Sequence, residues 1–379
     1  MLRVALDCRT VTAPKTGDRT YALNLIRGLA AVDPENHYLL YTAEPTDLTD
    51  LGRPNMEPVV LAAEPAWWWT PFVFPRDLAR SAVSLAHVQY ITPLDRPVPF
   101  ITTIHDVAFR RYPGLFPLKH RVLLNALVPL SAWRAARVIT GSESTRQDLV
   151  DFYRLPPEKI AVTPYAADDS YRPMDHDAAR RAIRERFGVR RPFVLSVGVL
   201  QPRKNLPRLV EAYARIARSV PHSLVIVGKW GWAHDELKAA VERAGLGDRV
   251  FFTGYVADSD LPILYNAADV FAYPSLYEGF GLPPLEAMQC GTPVLTANNS
   301  SLPEVVGDAG ILVDPRNVAE IADALRTLLN DDRERARLRA AGLERAKLFS
   351  WEETARLTVE VYREVAQGRS GAGILESAG

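Results

Sequence analysis

Short runs dense in Val, Ile, Leu and aromatic residues alternate along this chain with longer stretches whose apolar positions follow the helical period. In the first half, LRVALD, HYLLYT, EPVVLA, PFITTIHD and ARVITGS predict buried strands, and YALNLIRGLAAV and HRVLLNALVPLSAWRAA predict helices between some of them. A second series, PFVLSVGVL, HSLVIVGKW, RVFFTGYV, DVFAYPS, PVLTAN and GILVDP, is interleaved with helical stretches such as NLPRLVEAYARIARSV and HDELKAAVERAG. Strands alternating with helices lie parallel in a sheet, because each crossover returns the chain to start the next strand in the same direction. The expected fold is therefore α/β, with two doubly wound halves. Between them PYAADDSYRPMDHD, rich in Pro and Asp and without periodicity, marks a boundary near Arg172. The expected domains are residues 1–172 and 173–351, with a last helix over 352–367 packing back on the first and GRSGAGILESAG as a frayed tail.

Composition narrows the chemistry. At 379 residues the chain is long for one core, in line with two domains. Lys plus Arg and Asp plus Glu number 45 each, which argues against a general nucleic-acid binder and for a small-molecule partner. Only Cys8 and Cys290 occur, far apart, so neither a disulfide framework nor a cysteine zinc site is expected, and a reducing cytoplasm fits. The start MLRVALDCRT turns polar too soon for a signal peptide, and no uncharged apolar run reaches the roughly 18 residues that span a bilayer. Any membrane contact is expected to be peripheral.

The segment YPSLYEGFGLPPLEAMQCGTPVL, Tyr273 to Leu295, sets two acids across a run that cannot be one regular element. A residue before proline is pushed away from helical angles, which predicts Leu282 and Pro283 extended and a helix starting at Pro284. Glu286 then falls in the first turn and Gly291 just past the end. Glu278 falls on a strand-end loop at the carboxyl edge of a parallel sheet, where ligands of such folds bind, and Gly279 and Gly281 let backbone N–H groups approach a ligand. Taken singly, Glu286 reads equally as a cap of its own helix and Glu278 as a solvated loop acid.

Taken together, EGFGLPPLEAM resembles the signature of the retaining glycosyltransferases of family 4, EGFGLPxLEAM, at every fixed position. The resemblance implies the GT-B architecture, two Rossmann-like domains facing across a cleft. It implies that Glu278 faces the donor sugar hydroxyls, that Glu286 holds the ribose hydroxyls, and that the backbone of Gly279, Phe280, Gly281 and Leu282 meets sugar and diphosphate. SVGVLQPRKNLPRLVEAY resembles the segment that opens the family's C-terminal domain, which assigns Arg203 and Lys204 to the donor diphosphate beside Gly198. Many members carry Arg directly after that glycine, and this chain has Val199. ITTIHDVAF resembles the strand end that presents a histidine to the reaction centre, so His105 is the candidate, with Asp106 beside it. By position alone it reads also as a structural histidine bonded to backbone. By the same resemblance Gly254, Tyr255 and Val256 line the base pocket.

VITGSESTRQDL resembles a segment near the cleft, where Ser142 and Glu143 cap a helix and Arg146 reaches toward the acceptor. TAPKTGDRTYAL offers only Gly17, with Lys15 and Arg19 nearby, where members often have a glycine pair against a donor or acceptor phosphate. Ala166, in PYAADDSYRP, stands where PNGVD is common.

A rival chemistry uses the DxD at Asp258 to Asp260, which can hold a divalent cation under a diphosphate; Asp175 to Asp177 is a second occurrence. Asp260 before LPILYNAAD reads better as a helix N-cap. With Arg203, Lys204 and a helix N-terminus supplying positive charge, no metal or other cofactor is expected. The family mechanism is front-face transfer with retention. A nucleotide-sugar epimerase of the same architecture and a non-catalytic nucleotide-sugar binder are the alternatives. QPRKN and GKWGW resemble the mannosyltransferase branch, which puts GDP-mannose first as donor and a UDP-sugar second, with a glycan or lipid-linked acceptor. Trp67, Trp68 and Trp69, with the basic FRRYPGLFPLKHRVLL, suit an anionic membrane, a stacked sugar or a packed loop equally.

Overall fold

The computed structural model describes residues 1–13, 16–46, 53–231 and 235–368. Lys15, Trp232 of GKWGW and residues 369–379 of the expected tail lie outside that set. The chain divides into two compact units, Met1–Tyr165 with Ser350–Gly379, and Ala166–Phe349. The first cut falls at residue 165 rather than 172. The intervening segment belongs to the second unit because Tyr171 packs edge-on to Tyr265 at 5.7 Å and the carbonyl of Arg172 accepts from Asn266 at 2.9 Å.

In the first unit β1 (Arg3–Asp7), β2 (His37–Thr42), β3 (Met56–Val60), β4 (Leu85–Gln89), β5 (Phe100–Thr103), β6 (Arg137–Thr140) and β7 (Ile160–Val162) form one parallel sheet in the order β3-β2-β1-β4-β5-β6-β7. The sequence pattern missed β4, whose His87 and Gln89 interrupt the apolar run, and β7, which has only three residues. In the second unit β8 (Phe193–Val197), β9 (Ser223–Val227), β10 (Val250–Gly254), β11 (Val270–Tyr273), β12 (Val294–Ala297) and β13 (Gly310–Val313) form a parallel sheet in the order β10-β9-β8-β11-β12-β13, and each coincides with an expected apolar run. Both sheets reverse their strand order once, between β1 and β4 and between β8 and β11. In such folds the crevice at the carboxyl ends of those strands is where ligands bind.

The last helix, Trp351–Ala366, packs on the helix Gly17–Val32 within the first unit. Gly28 permits the close approach: a Cβ there would lie 2.5 Å from the carbonyl oxygen of Trp351. The three tryptophans divide. Trp69 is buried, stacks on Phe74 at 4.3 Å, and donates its indole N–H to Leu61 O at 2.8 Å, whereas Trp67 and Trp68 are exposed. Among the described residues no helix is long and apolar enough to cross a membrane.

Candidate functional site

The carboxyl edge of the second sheet gathers three of the expected residues at its reversal point. After β8 the chain passes Gly198 and enters a short 3-10 turn, Pro202–Lys204, closed by Asn205 at φ +59°. The Asn205 amide then holds the turn to two other loops, donating to Pro274 O at 2.9 Å and Pro315 O at 2.6 Å. After β11 the chain reaches Glu278, whose N–H donates to Ser300 Oγ at 3.0 Å. Between these loops Arg203 Nη1 donates to Glu278 Oε2 at 2.5 Å and Lys204 Nζ to Glu278 Oε1 at 2.8 Å. Lys204 also bonds the Tyr273 hydroxyl, and Arg203 bonds Tyr277 O at 2.7 Å.

All three side chains are largely buried, so the reading of Glu278 as a solvated loop acid is overturned. Burial works to raise the Glu278 pKa, but the charges of Arg203 and Lys204 outweigh it and hold the group at about 2. Two cations around one carboxylate leave a net positive cluster, suited to a bound anion.

Backbone shape keeps this edge open. A Cβ on Gly228, at the end of β9 with φ +146°, would stand 1.9 Å from Gly198 O, so only glycine lets these two strand exits touch. Ser301 Oγ donates to the carbonyls of Glu278 at 2.9 Å and Phe280 at 2.5 Å, pinning the buried Gly279–Phe280 loop. Gly254 at φ +70° ends β10; beyond it Tyr255 is exposed and Val256 buried.

The helix after this loop spans Leu282–Gln289, with Gly281 at φ +119° before it, so Leu282 and Pro283 are helical rather than extended. The reason is that first-turn N–H groups have no partner inside a helix, so consecutive prolines there lose no hydrogen bond, and their fixed φ already suits it. Glu286 thus lies past the first turn and does not cap its helix, while Gly291 at φ +76° does follow the end. Glu286 is buried and accepts the Tyr265 hydroxyl at 2.8 Å.

At the carboxyl edge of the first sheet His105 follows β5. It is buried, and its ring is held at both nitrogens, by the Tyr165 hydroxyl at Nδ1 and by Gln89 Oε1 at Nε2, each at 2.7 Å. An amide oxygen only accepts, so the Nε2 atom carries the proton and Nδ1 accepts from Tyr165. Burial lowers its pKa, only partly offset by Asp18 and Asp106, which leaves it neutral at pH 7. Asp18 Oδ1 lies 3.9 Å from Nε2. Gly17 opens the helix Gly17–Val32, is exposed, and follows the Thr16 cap. Sequence reasoning missed Gln89, Tyr165 and Asp18; Gly141 was the available signal for Tyr165, because a Cβ there would meet its ring at 2.7 Å.

The remaining candidates make local contacts. Ser142 caps the helix Glu143–Tyr153 and Arg146 pairs with Glu143 at 2.6 Å. Asp260 occupies the N-cap position of Leu261–Ala267, but its side chain pairs with Arg186 instead of capping, and Asp175 caps His176–Phe187.

Two Rossmann-like units, each built on a parallel sheet, the second with a buried Arg–Lys–Glu cluster at its strand-order reversal, have the architecture of GT-B glycosyltransferases. The description Glycosyltransferase Family 4 matches residues 16–171 and Glycosyl transferases group 1 matches residues 179–345. The chain is 36% identical to O-antigen chain mannosyltransferase B of Escherichia coli over 265 residues, 69% of this chain and 70% of that protein. It is 33% identical to D-inositol 3-phosphate glycosyltransferase of Kineococcus radiotolerans, covering 78% of this chain and 73% of that protein. Sucrose-phosphate synthase from Thermosynechococcus elongatus shares the fold, with a TM-score of 0.78 at 23% identity over 97% of this chain and 100% of that one. The chain belongs to glycosyltransferase family 4.

Proposed function

We propose that this enzyme moves a mannosyl group, with retention of configuration, from GDP-mannose to a hydroxyl of a glycan or lipid-linked acceptor at a membrane surface. The observation that carries the reading is the Arg203–Lys204–Glu278 cluster at the β8/β11 reversal, in a chain similar to O-antigen chain mannosyltransferase B. A UDP-sugar is the second choice of donor.

In this reading the diphosphate approaches Arg203 and Lys204, and Glu278 accepts hydrogen bonds from the sugar. Glu286 accepts the ribose hydroxyls alongside its bonds from Tyr265 and Tyr171. As the bond from the anomeric carbon to the phosphate oxygen breaks, that oxygen becomes more negative, and the two cations stabilise it. The same oxygen takes the proton of the acceptor hydroxyl, whose oxygen forms the new bond on the face the phosphate leaves. In the same reading neutral His105 exchanges the Gln89 partner of its Nε2–H for a sugar hydroxyl and so orients it.

Purified protein screened with GDP-mannose, UDP-glucose and their free nucleotides should show the larger thermal stabilisation by GDP-mannose. Stabilisation by UDP-glucose alone would reassign the donor. The fixed cations stand where a metal would otherwise neutralise the diphosphate, so turnover should survive excess EDTA. Loss of turnover restored by magnesium or manganese would return Asp258 and Asp260 to consideration.

A further inference from the structure

The carboxylate of Glu286 is held by hydroxyls that come from two separate parts of the second unit. Its Oε2 accepts the Tyr265 hydroxyl at 2.8 Å, and the Tyr171 hydroxyl bonds the same carboxylate. All three side chains are buried, and the two rings meet edge-on with centroids 5.7 Å apart. Tyr265 belongs to the helix Leu261–Ala267, whereas Tyr171 lies on the segment by which the chain enters the second unit at Ala166.

That segment is tied to both helices around the carboxylate. Gln289, on the helix that carries Glu286, donates its side-chain amide to Asp168 O at 3.1 Å, and the same carbonyl accepts the Tyr171 N–H at 3.0 Å. Asn266, next to Tyr265, donates to Arg172 O at 2.9 Å and accepts the Met174 N–H at 2.8 Å. The main chain is therefore fixed on either side of Tyr171, and its phenol is aimed by those bonds.

Burial, and then the charge of Glu286, push both phenols far above their ordinary range, so each remains a hydrogen-bond donor at neutral pH. A carboxylate accepts at about four positions, so two phenols can share it with the two hydroxyls of a ribose. Glutamate is among the side chains that lose most rotamer freedom when ordered. Donors that fix it in the folded protein remove that loss from the binding step.

We infer that Tyr171 and Tyr265 are positioning residues for Glu286: their hydroxyls set the plane of its carboxylate, so that a nucleoside diphosphate meets an acceptor already aimed at its ribose diol. The inference rests on the reading of Glu286 as the group that takes the ribose hydroxyls, and the experiment is chosen so that the two fail differently.

Calorimetric titration of the full chain with GDP and with 2′,3′-dideoxy-GDP gives an affinity ratio that reports the ribose hydroxyls alone. UDP and 2′,3′-dideoxy-UDP are titrated alongside, and the ratio is read on the base that binds more tightly. The wild type should prefer the ribonucleotide by about tenfold or more, as expected for hydrogen bonds to a charged group. Tyr171→Phe and Tyr265→Phe keep the rings and remove only the hydroxyls. Each should reduce that preference by about threefold or more, while affinity for the dideoxy analogue stays near the wild-type value. A wild type that binds both forms equally, or binds neither nucleotide, would remove Glu286 from the ribose and the inference with it. A clear wild-type preference that both phenylalanine variants keep undiminished would overturn the positioning role and leave Glu286 in place. Equal weakening of both forms would likewise overturn it, because that is the signature of lost packing. Should one variant lose its cooperative melt, the other decides.

Discussion

The carboxyl edges of the two sheets solve the burial of polar groups in opposite ways. At the second sheet charge is buried with charge: Glu278 lies between Arg203 and Lys204 and stays ionised far below the usual carboxylate range. At the first sheet the ring itself stays uncharged: His105 is locked between Tyr165 and Gln89, and burial lowers its pKa more than Asp18 and Asp106 raise it. His87, one strand away on β4, is held alike by Tyr362 and Thr103 at 2.7 Å each, and burial lowers its pKa to about 3. An ion cluster with a positive surplus can answer growing negative charge on a leaving group, whereas a neutral, fixed imidazole can only donate or accept one oriented hydrogen bond. The difference predicts unequal losses when each edge is cut.

The largest loss is expected at the charged edge. Arg203→Ala and Lys204→Ala should each lower turnover at saturating donor by about 100- to 1,000-fold, the range for removing a preorganised charge partner of the transition state. An interaction equal in ground and transition states would raise only the Michaelis constant. Val199 stands where many relatives carry Arg, so Arg203→Ala should be at least as damaging as Lys204→Ala. Unchanged donor-saturated turnover in both variants would reduce the cluster to a binding element and remove the contrast.

His105→Ala should cost about 100-fold in turnover, at the lower end expected for a single group acting in the transition state, with donor affinity little altered. Gln89→Leu sharpens the test. If Gln89 fixes the protonated nitrogen, its loss should lower turnover without shifting the Michaelis constant for donor. A folded His105→Ala with near-normal turnover would make the neutral edge purely structural.

Glu286→Ala should weaken binding of the free nucleoside diphosphate by about 1.5–3 kcal/mol, the range for hydrogen bonds to a charged group. A fall in thermal stability alone, with nucleotide affinity kept, would show that Glu286 serves only its buried bonds to Tyr265 and Tyr171.

What could be read in advance followed the physics of each region. The strands of the second sheet are uninterrupted apolar runs because both faces are covered, so all six were legible. β4 was not, because its buried His87 and its Gln89 answer to hydrogen-bond partners distant in sequence, which no local pattern records. The start of the helix at Leu282 was misread for a related reason. The rule that disfavours helical angles before proline is a local steric preference, and at a first turn it is outweighed by the packing of Leu285 and Met288 into the core. Arg203, Lys204 and Glu278 were legible through their motifs, but their meeting across two strand ends was visible only in the fold.

The smallest effect concerns stability and separates the two edges by pH. Glu278 has an ordinary carboxylate pKa of 4.5 when exposed and about 2 when folded, so the folded chain binds its proton less readily than the unfolded one. A depressed pKa contributes stability that is complete above about pH 5 and disappears as the pH falls toward the folded value. Glu278→Gln keeps the shape but leaves Arg203 and Lys204 facing a neutral amide, so the variant should be less stable than the wild type at pH 7. Between pH 5 and pH 2.5 the wild type should lose most of that advantage, because Glu278 of its unfolded chain takes up a proton that the folded chain does not, while every other carboxylate titrates alike in both proteins. Denaturant unfolding of the pair across this range isolates the difference. A gap that stays constant down to pH 2.5 would mean that the Glu278 charge does not hold the cluster, and that the two edges do not differ in the way described.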